Sequence, residues 1–372
     1  MADNYEEQDE DTTLTNPLVV EKYKFAARFA NKAMDEVKKG AVEGASVFDL
    51  CCLGDKIILD ECAKVYCKKG ESQVDKGIGF PTSISVNDVV CHFSPDAEEG
   101  KNTKPLHEGD VVRIDLGCQI DGYVSTFADT LVVGKETVTG KKADVIRAAQ
   151  SALDIVTHAL RPGVSYYAIT NLIEKVAQEY GVNSAEGVLS HRTSRYIIDT
   201  VHVITGKDTP EGKVRDMEIE ENEVWAIDIV MTTGTGKLKN KESRPLVYKK
   251  TLDSSHQLKL QASRDVLNEV NQKCQTFPFS VRNLTQKRAR IGLQECVRSD
   301  VIDPYPILYE KEGEHVAHVK STILVTPSKI ERITCTKFDE ARYQTEKKIT
   351  DAALLDWQLK SLKLKDKKDK SA

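Results

Sequence analysis

Glu108-Gly109-Asp110-Val111-Val112-Arg113-Ile114-Asp115 is a stretch that the chain states twice, because Glu221-Asn222-Glu223-Val224-Trp225-Ala226-Ile227-Asp228 repeats its pattern 113 residues later. In each copy an acidic loop leads into an apolar strand that carries one aspartate. A histidine in a loop-like stretch precedes each copy, His92 the first and His191 the second. Helical periodicity comes before both. Residues 18–39 and 47–68 read as helices ahead of the first copy, and residues from 141, then 166–180, ahead of the second. Two helices followed by a strand pair, given twice, predict a pseudo-two-fold duplicated α/β (α+β) unit.

Working outward, Asp121-Gly122 follows the first strand and strongly favours a two-residue hairpin turn. Residues facing each other across that hairpin have numbers adding to 243, so Asp115 opposes Ala128. Thr126 then shares the Asp115 face, while Asp129 points to the other side. Gly77, Gly79 and Pro81 mark a loop, with β-rich runs beginning near residue 84. Residues 234–290 break the duplicated pattern. They open on a Gly-rich basic loop, hold a helix over about 256–274, and read as an insertion into the second half. Strand character resumes over 316–325. The organisation expected is therefore an acidic disordered segment 1–16, a main domain 17–350 that includes the insertion, and a segment 351–372. That last segment holds a helix over about 351–364 and a lysine-rich tail.

With 372 residues, 40% hydrophobic and 30% charged, the chain has enough aliphatic residues for a sizeable core. It has no apolar run long enough for a membrane span. Met1 to Asp11 is acidic, unlike a secretory signal or a mitochondrial presequence. The nine cysteines are scattered without zinc-site spacing. They read as free thiols of a reducing compartment, cytosol or nucleus. The formal net charge of −5 hides an uneven spread, for thirteen Lys/Arg stand against four Asp/Glu between Lys237 and Arg290. One basic segment in an otherwise acidic chain suits local contact with a polyanion.

Phe80-Pro81-Thr82-Ser83, Val90-Cys91-His92-Phe93 and Arg113-Ile114-Asp115-Leu116-Gly117 resemble type-two methionine aminopeptidase, whose fold is called pita bread. The similarity spans about residues 17–338. Leu189-Ser190-His191 and Leu308-Tyr309-Glu310-Lys311-Glu312-Gly313-Glu314 resemble in particular that enzyme's non-peptidase relatives, the proliferation-associated, ErbB-receptor-binding proteins. The resemblance implies the pita-bread fold with an insertion in its second half.

It also implies a ligand set. The enzymes hold two divalent metals around a shared water, which takes several carboxylates and one histidine. Carried over by position, the first aspartate is Asp115, and the second falls on Thr126. The histidine is His191, the first glutamate falls on Asp228 and the second on Lys320. His92 matches a further histidine that contacts substrate. Asp228 for glutamate shortens the reach by one methylene, and Thr126 removes a bridging charge. Lys320 is the severe change, since an ammonium about 4 Å from a dication meets a repulsion of up to roughly 8 kcal/mol at an effective dielectric near 20. Asp129, on the opposite face, does not replace the missing ligand. The expectation is a degenerate site with no metal, no cofactor and no peptidase activity, where Asp115 and Asp228 pair with Lys320 or cap strand ends.

The basic insertion offers a positive function. Lys237, Lys239, Lys241, Lys249, Lys250, Lys287, Arg288 and Arg290 are candidate phosphate contacts, the last three beside Phe277 and Phe279. The resemblance implies ribosomal RNA and the large ribosomal subunit near the nascent-chain exit as partners. It also implies a role in growth and translation control in cytoplasm and nucleus. The short tail makes nucleolar targeting a weaker expectation. Two other classes stay open: a protein-interaction adaptor or transcriptional regulator that uses the old substrate cleft, and an active metallo-aminopeptidase.

Overall fold

In a computed structural model that describes residues 11–67, 73–241, 243–252 and 257–364, helix α1 (Pro17–Gly40) opens the first half. Asn16 caps it by accepting from the Leu18 N–H, Pro17 supplies the first turn, and Lys38 and Lys39 face the carbonyl end. The half continues through α2 (Val47–Cys62), β1 (Lys76–Val86), β2 (Val89–Cys91), α3 (Ala97–Asn102), β3 (Val111–Ile120) and β4 (Tyr123–Val132). The second half starts with α4 (Gly140–Ala159), α5 (Tyr166–Glu179), β5 (Asn183–Ser184), β6 (Leu189–Thr193), β7 (Val203–Thr205) and β8 (Glu223–Thr232). A lobe is then inserted: β9 (Lys239–Asn240), β10 (Val247–Lys250), α6 (Gln261–Lys273), β11 (Phe279–Ser280), α7 (Ala289–Arg298), β12 (Ile302–Tyr305) and β13 (Leu308–Tyr309). The half is completed by β14 (Val316–Val325), β15 (Ile330–Arg332) and α8 (Ala352–Leu359).

The main sheet is antiparallel, with the order β1-β3-β4-β14-β8-β6-β7. A pseudo-dyad between β4 and β14 relates β3 to β8 and β1 to β6, which is the duplication that the repeated stretch predicts. Asp121 and Gly122 adopt φ of 55° and 79°, as a primed two-residue turn requires, and Asp115 does oppose Ala128. One face of the sheet carries the helices. Ile114, Leu116, Cys118 and Ile120 pack under α1 and α2, and Ile227, Ile229, Val319 and Ile323 under α4 and α5. The other face forms the floor of a cleft roofed in part by the lobe.

Several expectations change. Gly77, Gly79 and Pro81 lie within β1 rather than in a loop, and the strand is bulged between Ile78 and Phe80 and again between Phe80 and Ser83. Gly79 is required by close approach: a Cβ there would stand 2.6 Å from Val124 Cγ2 and 3.0 Å from the Cys118 carbonyl. Pro81 sits where the ladder skips a partner. The lobe also runs beyond residue 290, because β12 pairs with β10 from Val247↔Tyr305 to Lys250↔Ile302 and only then closes its small sheet. The lobe helix expected over 256–274 is α6, which starts at Gln261, where Glu295 accepts from the Lys259 and Leu260 N–H groups. Helix α2 stops at Cys62, short of residue 68. Of the segment 1–16 expected to be disordered, 1–10 lies outside the described residues, as does the tail 365–372. Residues 11–16 are ordered, with Leu14 buried and Asn16 capping α1. The last helix ends at Leu359, short of residue 364.

Candidate functional site

The cleft floor is one row of residues in register across the sheet. Asp115 on β3 faces Ala128 on β4, Ala128 faces Lys320 on β14, and Lys320 faces Asp228 on β8. Ala128 is small enough for the Lys320 side chain to reach over it. Lys320 Nζ lies 2.8 Å from Asp115 Oδ2 and 3.0 Å from Asp228 Oδ2. It also stands 5.2 Å from the centroid of the Phe80 ring. His318, two residues earlier on the same face of β14, places Nε2 2.7 Å from Asp228 Oδ1. Four side chains from three strands thus form one buried, hydrogen-bonded group.

Its electrostatics follow from geometry. Burial opposes the charge on Asp228, but Lys320 and His318 outweigh it and hold the carboxyl well below its ordinary value. Burial likewise opposes the charge on Lys320, and Asp115 and Asp228 outweigh it, so its proton is held more tightly than in water. Two polar atoms are left over. Asp115 Oδ1 and Thr126 Oγ1 are both buried without a hydrogen-bond partner.

The two histidines of the repeated pattern border this floor. His92, at a left-handed φ of 64°, places Nδ1 2.8 Å from the Pro306 carbonyl and meets Tyr305 edge-on at 5.1 Å. Among the described residues, His191 Nδ1 lies 3.5 Å from the Thr200 carbonyl. Burial lowers the proton affinity of both rings. The cleft above encloses about 390 Å³, with Phe80, Ile198, Tyr305 and Leu308 among its apolar walls.

The lobe residues divide. Lys237 and Lys239, on the loop entering β9 and on β9 itself, are exposed, as are Lys287 and Arg288 in the turn before α7, and none of these four forms an ion pair with a described residue. Lys250 is half-buried at the end of β10. Lys241 is exposed but pairs with Asp88 at 3.1 Å and covers the Tyr309 ring. Two candidates are reassigned. Lys249 turns into the cleft wall to pair with Asp199, and Arg290 pairs with Asp96 and Glu98. The lobe spends those cations on docking against the rest of the chain.

The model of metallopeptidase family M24 matches residues 21–252. The chain belongs to metallopeptidase family M24. It is 41% identical to proliferation-associated protein A of Dictyostelium discoideum over 96% of this chain and 93% of that one. It is 36% identical to a curved DNA-binding protein of Schizosaccharomyces pombe over 97% of this chain and 95% of that one. Among solved structures, a thermophilic Arx1 superposes with a TM-score of 0.86 at 30% identity, over 94% of this chain and all of that one. The pita-bread fold is thereby established.

The dinuclear metal centre implied for M24 enzymes does not fit these residues. A cation that belongs to the chain already lies between the two aspartates, and Thr126 supplies a hydroxyl where a bridging carboxylate would be needed. Among the described residues no group of three or more His, Cys, Asp or Glu is placed to hold a metal ion. Asp129 is used elsewhere: on the helix side of the sheet it accepts from Lys38 Nζ at 2.6 Å and Gln150 Nε2 at 2.9 Å. Sequence reasoning missed His318, although its two-residue offset from Lys320 within a strand signals a shared face. It also missed Tyr305 and Asp199, which the lobe and a loop bring to the cleft without any local pattern.

Proposed function

We propose that this M24 member is catalytically inactive and acts as an RNA-binding factor of the large ribosomal subunit, near the nascent-chain exit, in cytoplasm and nucleus. The observation that carries the first part is the Lys320 ammonium, held between Asp115 and Asp228. A substrate-polarising dication has no place there, so the fold is left with binding rather than hydrolysis. Support for the second part is chemical. Lys237, Lys239, Lys287 and Arg288 are exposed cations without an ion-pair partner among the described residues, which is what phosphate contact requires. A relative of similar length is named as a nucleic-acid binder, and phosphate is common to DNA and RNA.

Co-sedimentation with purified large ribosomal subunits across a salt series tests the reading. Binding of the wild type should weaken steeply with salt. The variant with Lys237, Lys239, Lys287 and Arg288 replaced by alanine should bind less tightly, with its log–log salt slope reduced by roughly 1 for each phosphate contact removed. Equal binding and equal slope in the two proteins would overturn the assignment of this surface. A second reading, a peptide partner in the old cleft, is favoured by the unpartnered Asp115 Oδ1 and Thr126 Oγ1. Loss of subunit binding on changing cleft residues alone would select it.

A further inference from the structure

The nine cysteines are all free, and two of them touch. Cys62 is the last residue of α2, and Cys118 lies on the helix-facing side of β3, beside Leu116 and Ile120. Their sulfurs are 3.5 Å apart, although 56 residues separate them in sequence. No other pair of sulfurs is in contact among the described residues. We propose that Cys62 and Cys118 form a two-thiol modification site that a peroxide-class oxidant closes to a disulfide.

The geometry favours closure at this pair. A disulfide needs its sulfurs at about 2.05 Å, so closure asks the Cys62 sulfur to approach Cys118 by about 1.5 Å. Cys62 is itself buried, but it ends its helix and the Ala63 and Lys64 that follow are exposed, so opening of this last turn supplies both the movement and the way in for the oxidant. Terminal helical turns open more readily than strand centres. Cys118, between β1 and β4 in the sheet, stays where it is. In the first step the Cys62 thiol gives up its proton and its sulfur attacks one peroxide oxygen; an S–O bond forms, the O–O bond breaks, and the departing hydroxide takes up that proton and leaves as water. In the second the Cys118 sulfur attacks the Cys62 sulfur; an S–S bond forms, the S–O bond breaks and a second water leaves with the Cys118 proton. Two thiols give up two electrons and one peroxide takes them.

Burial pushes the Cys118 thiol well up from its ordinary value, so Cys118 is not the sulfur that the oxidant takes first. Burial also raises Cys51 and Cys91 to about 12. Exposed Cys67 and Cys335 would react without closing a ring. Because Cys118 faces away from Asp115, closure ties α2 to β3 and leaves the cleft floor untouched.

The test uses the full chain carrying Cys67→Ser and Cys335→Ser, treated with hydrogen peroxide and then mapped by mass spectrometry without reduction. The expected result is one peptide pair joining Cys62 to Cys118, two fewer titratable thiols after unfolding, and a melting temperature raised by several degrees that dithiothreitol reverses. A sulfinic acid at Cys62 with Cys118 unmodified would overturn the proposal, and so would a disulfide to any third cysteine. Cys118→Ala should convert disulfide closure into over-oxidation of Cys62. If that variant does not fold, the peptide map of the parent protein still decides.

Discussion

Replacing Lys320 by methionine removes the cation and keeps most of the side-chain volume. At 2.8 and 3.0 Å and an effective dielectric near 20, each carboxylate contact carries roughly 6 kcal/mol of gross attraction. Most of that is offset by the cost of taking three charged groups out of water, since the side chains of Lys320, Asp115 and Asp228 keep only 11%, 5% and 16% exposure. The net loss expected at neutral pH is about 3–5 kcal/mol, the usual result of leaving a buried charge without its partner. The pH dependence between about pH 7 and about pH 5 should change. In the wild type Asp228 is held low, so its contribution is fully present above the ordinary aspartate range and is lost only as pH falls below that range towards the carboxyl's lowered value, and it adds no slope between those two pH values. In Lys320→Met only His318 is left to offset burial and the neighbouring carboxylate at Asp228. The folded state then binds more protons than the unfolded one, and stability rises as pH falls. Urea unfolding of both proteins at about pH 7 and about pH 5, read from the midpoints at constant m, measures this. A variant within about 0.5 kcal/mol of the wild type at both pH values would show that Lys320 is solvated and leaves the two aspartates free for a metal.

Restoring the carboxylates with Thr126→Asp, Asp228→Glu and Lys320→Glu together should create a metal-dependent protein. Added cobalt or manganese at a hundredfold excess over Kd would stabilise it by about 2.7 kcal/mol and leave the wild type unchanged in thermal melts. An equal shift in the wild type, or two metal ions per wild-type chain by elemental analysis, would contradict the fit drawn above. Arg282 donates to Asp55 Oδ2 at 2.8 Å and to the Thr82 carbonyl at 2.9 Å, and so pins the lobe to α2 and β1. Arg282→Met should cost about 3–5 kcal/mol in urea unfolding, while a loss below about 1 kcal/mol would show that the lobe docks by its apolar contacts alone. In Gly292→Ala the new Cβ would stand 2.5 Å from the Ala262 carbonyl oxygen. A backbone atom cannot rotate away, so about 1–3 kcal/mol should be lost, with faster amide exchange in α6 and α7 than in α4.

The duplicated stretch was readable because two periodicities and a turn dipeptide agree. Helix spacing, strand spacing and Asp121-Gly122 all lead to a strand pair under two helices, and the register of Asp115 opposite Ala128 follows by counting. The site was partly readable for the same reason, since alternation along a strand separates Thr126 from Asp129. The parts that escaped depend on contacts distant in sequence. Nothing near Lys249 or Arg290 shows that Asp199 and Asp96 will neutralise them, so counting charges along the insertion overstated the positive surface. The glycines of β1 were misread because glycine serves both turns and close approach, and only the position of Val124 tells which.

The row Asp115–Ala128–Lys320–Asp228 also shows why the fold needs a cation at its centre. The pseudo-dyad runs between Ala128 and Lys320, so it relates the two aspartates to each other and the alanine to the lysine. Duplication places like charges on both sides of the axis, buried and facing the same cleft. Two carboxylates so placed repel, and a positive charge near the axis relieves both at once. A metal would meet that demand only while bound, and would have to be gathered from solution. Lys320 meets it from within the chain, at a fixed position and with no ligand to lose. Its partner across the axis must then be small, because a larger side chain at 128 would stand between the ammonium and Asp115. The asymmetry of one long and one short residue about a near-symmetric centre is thus what lets a single side chain join the two halves.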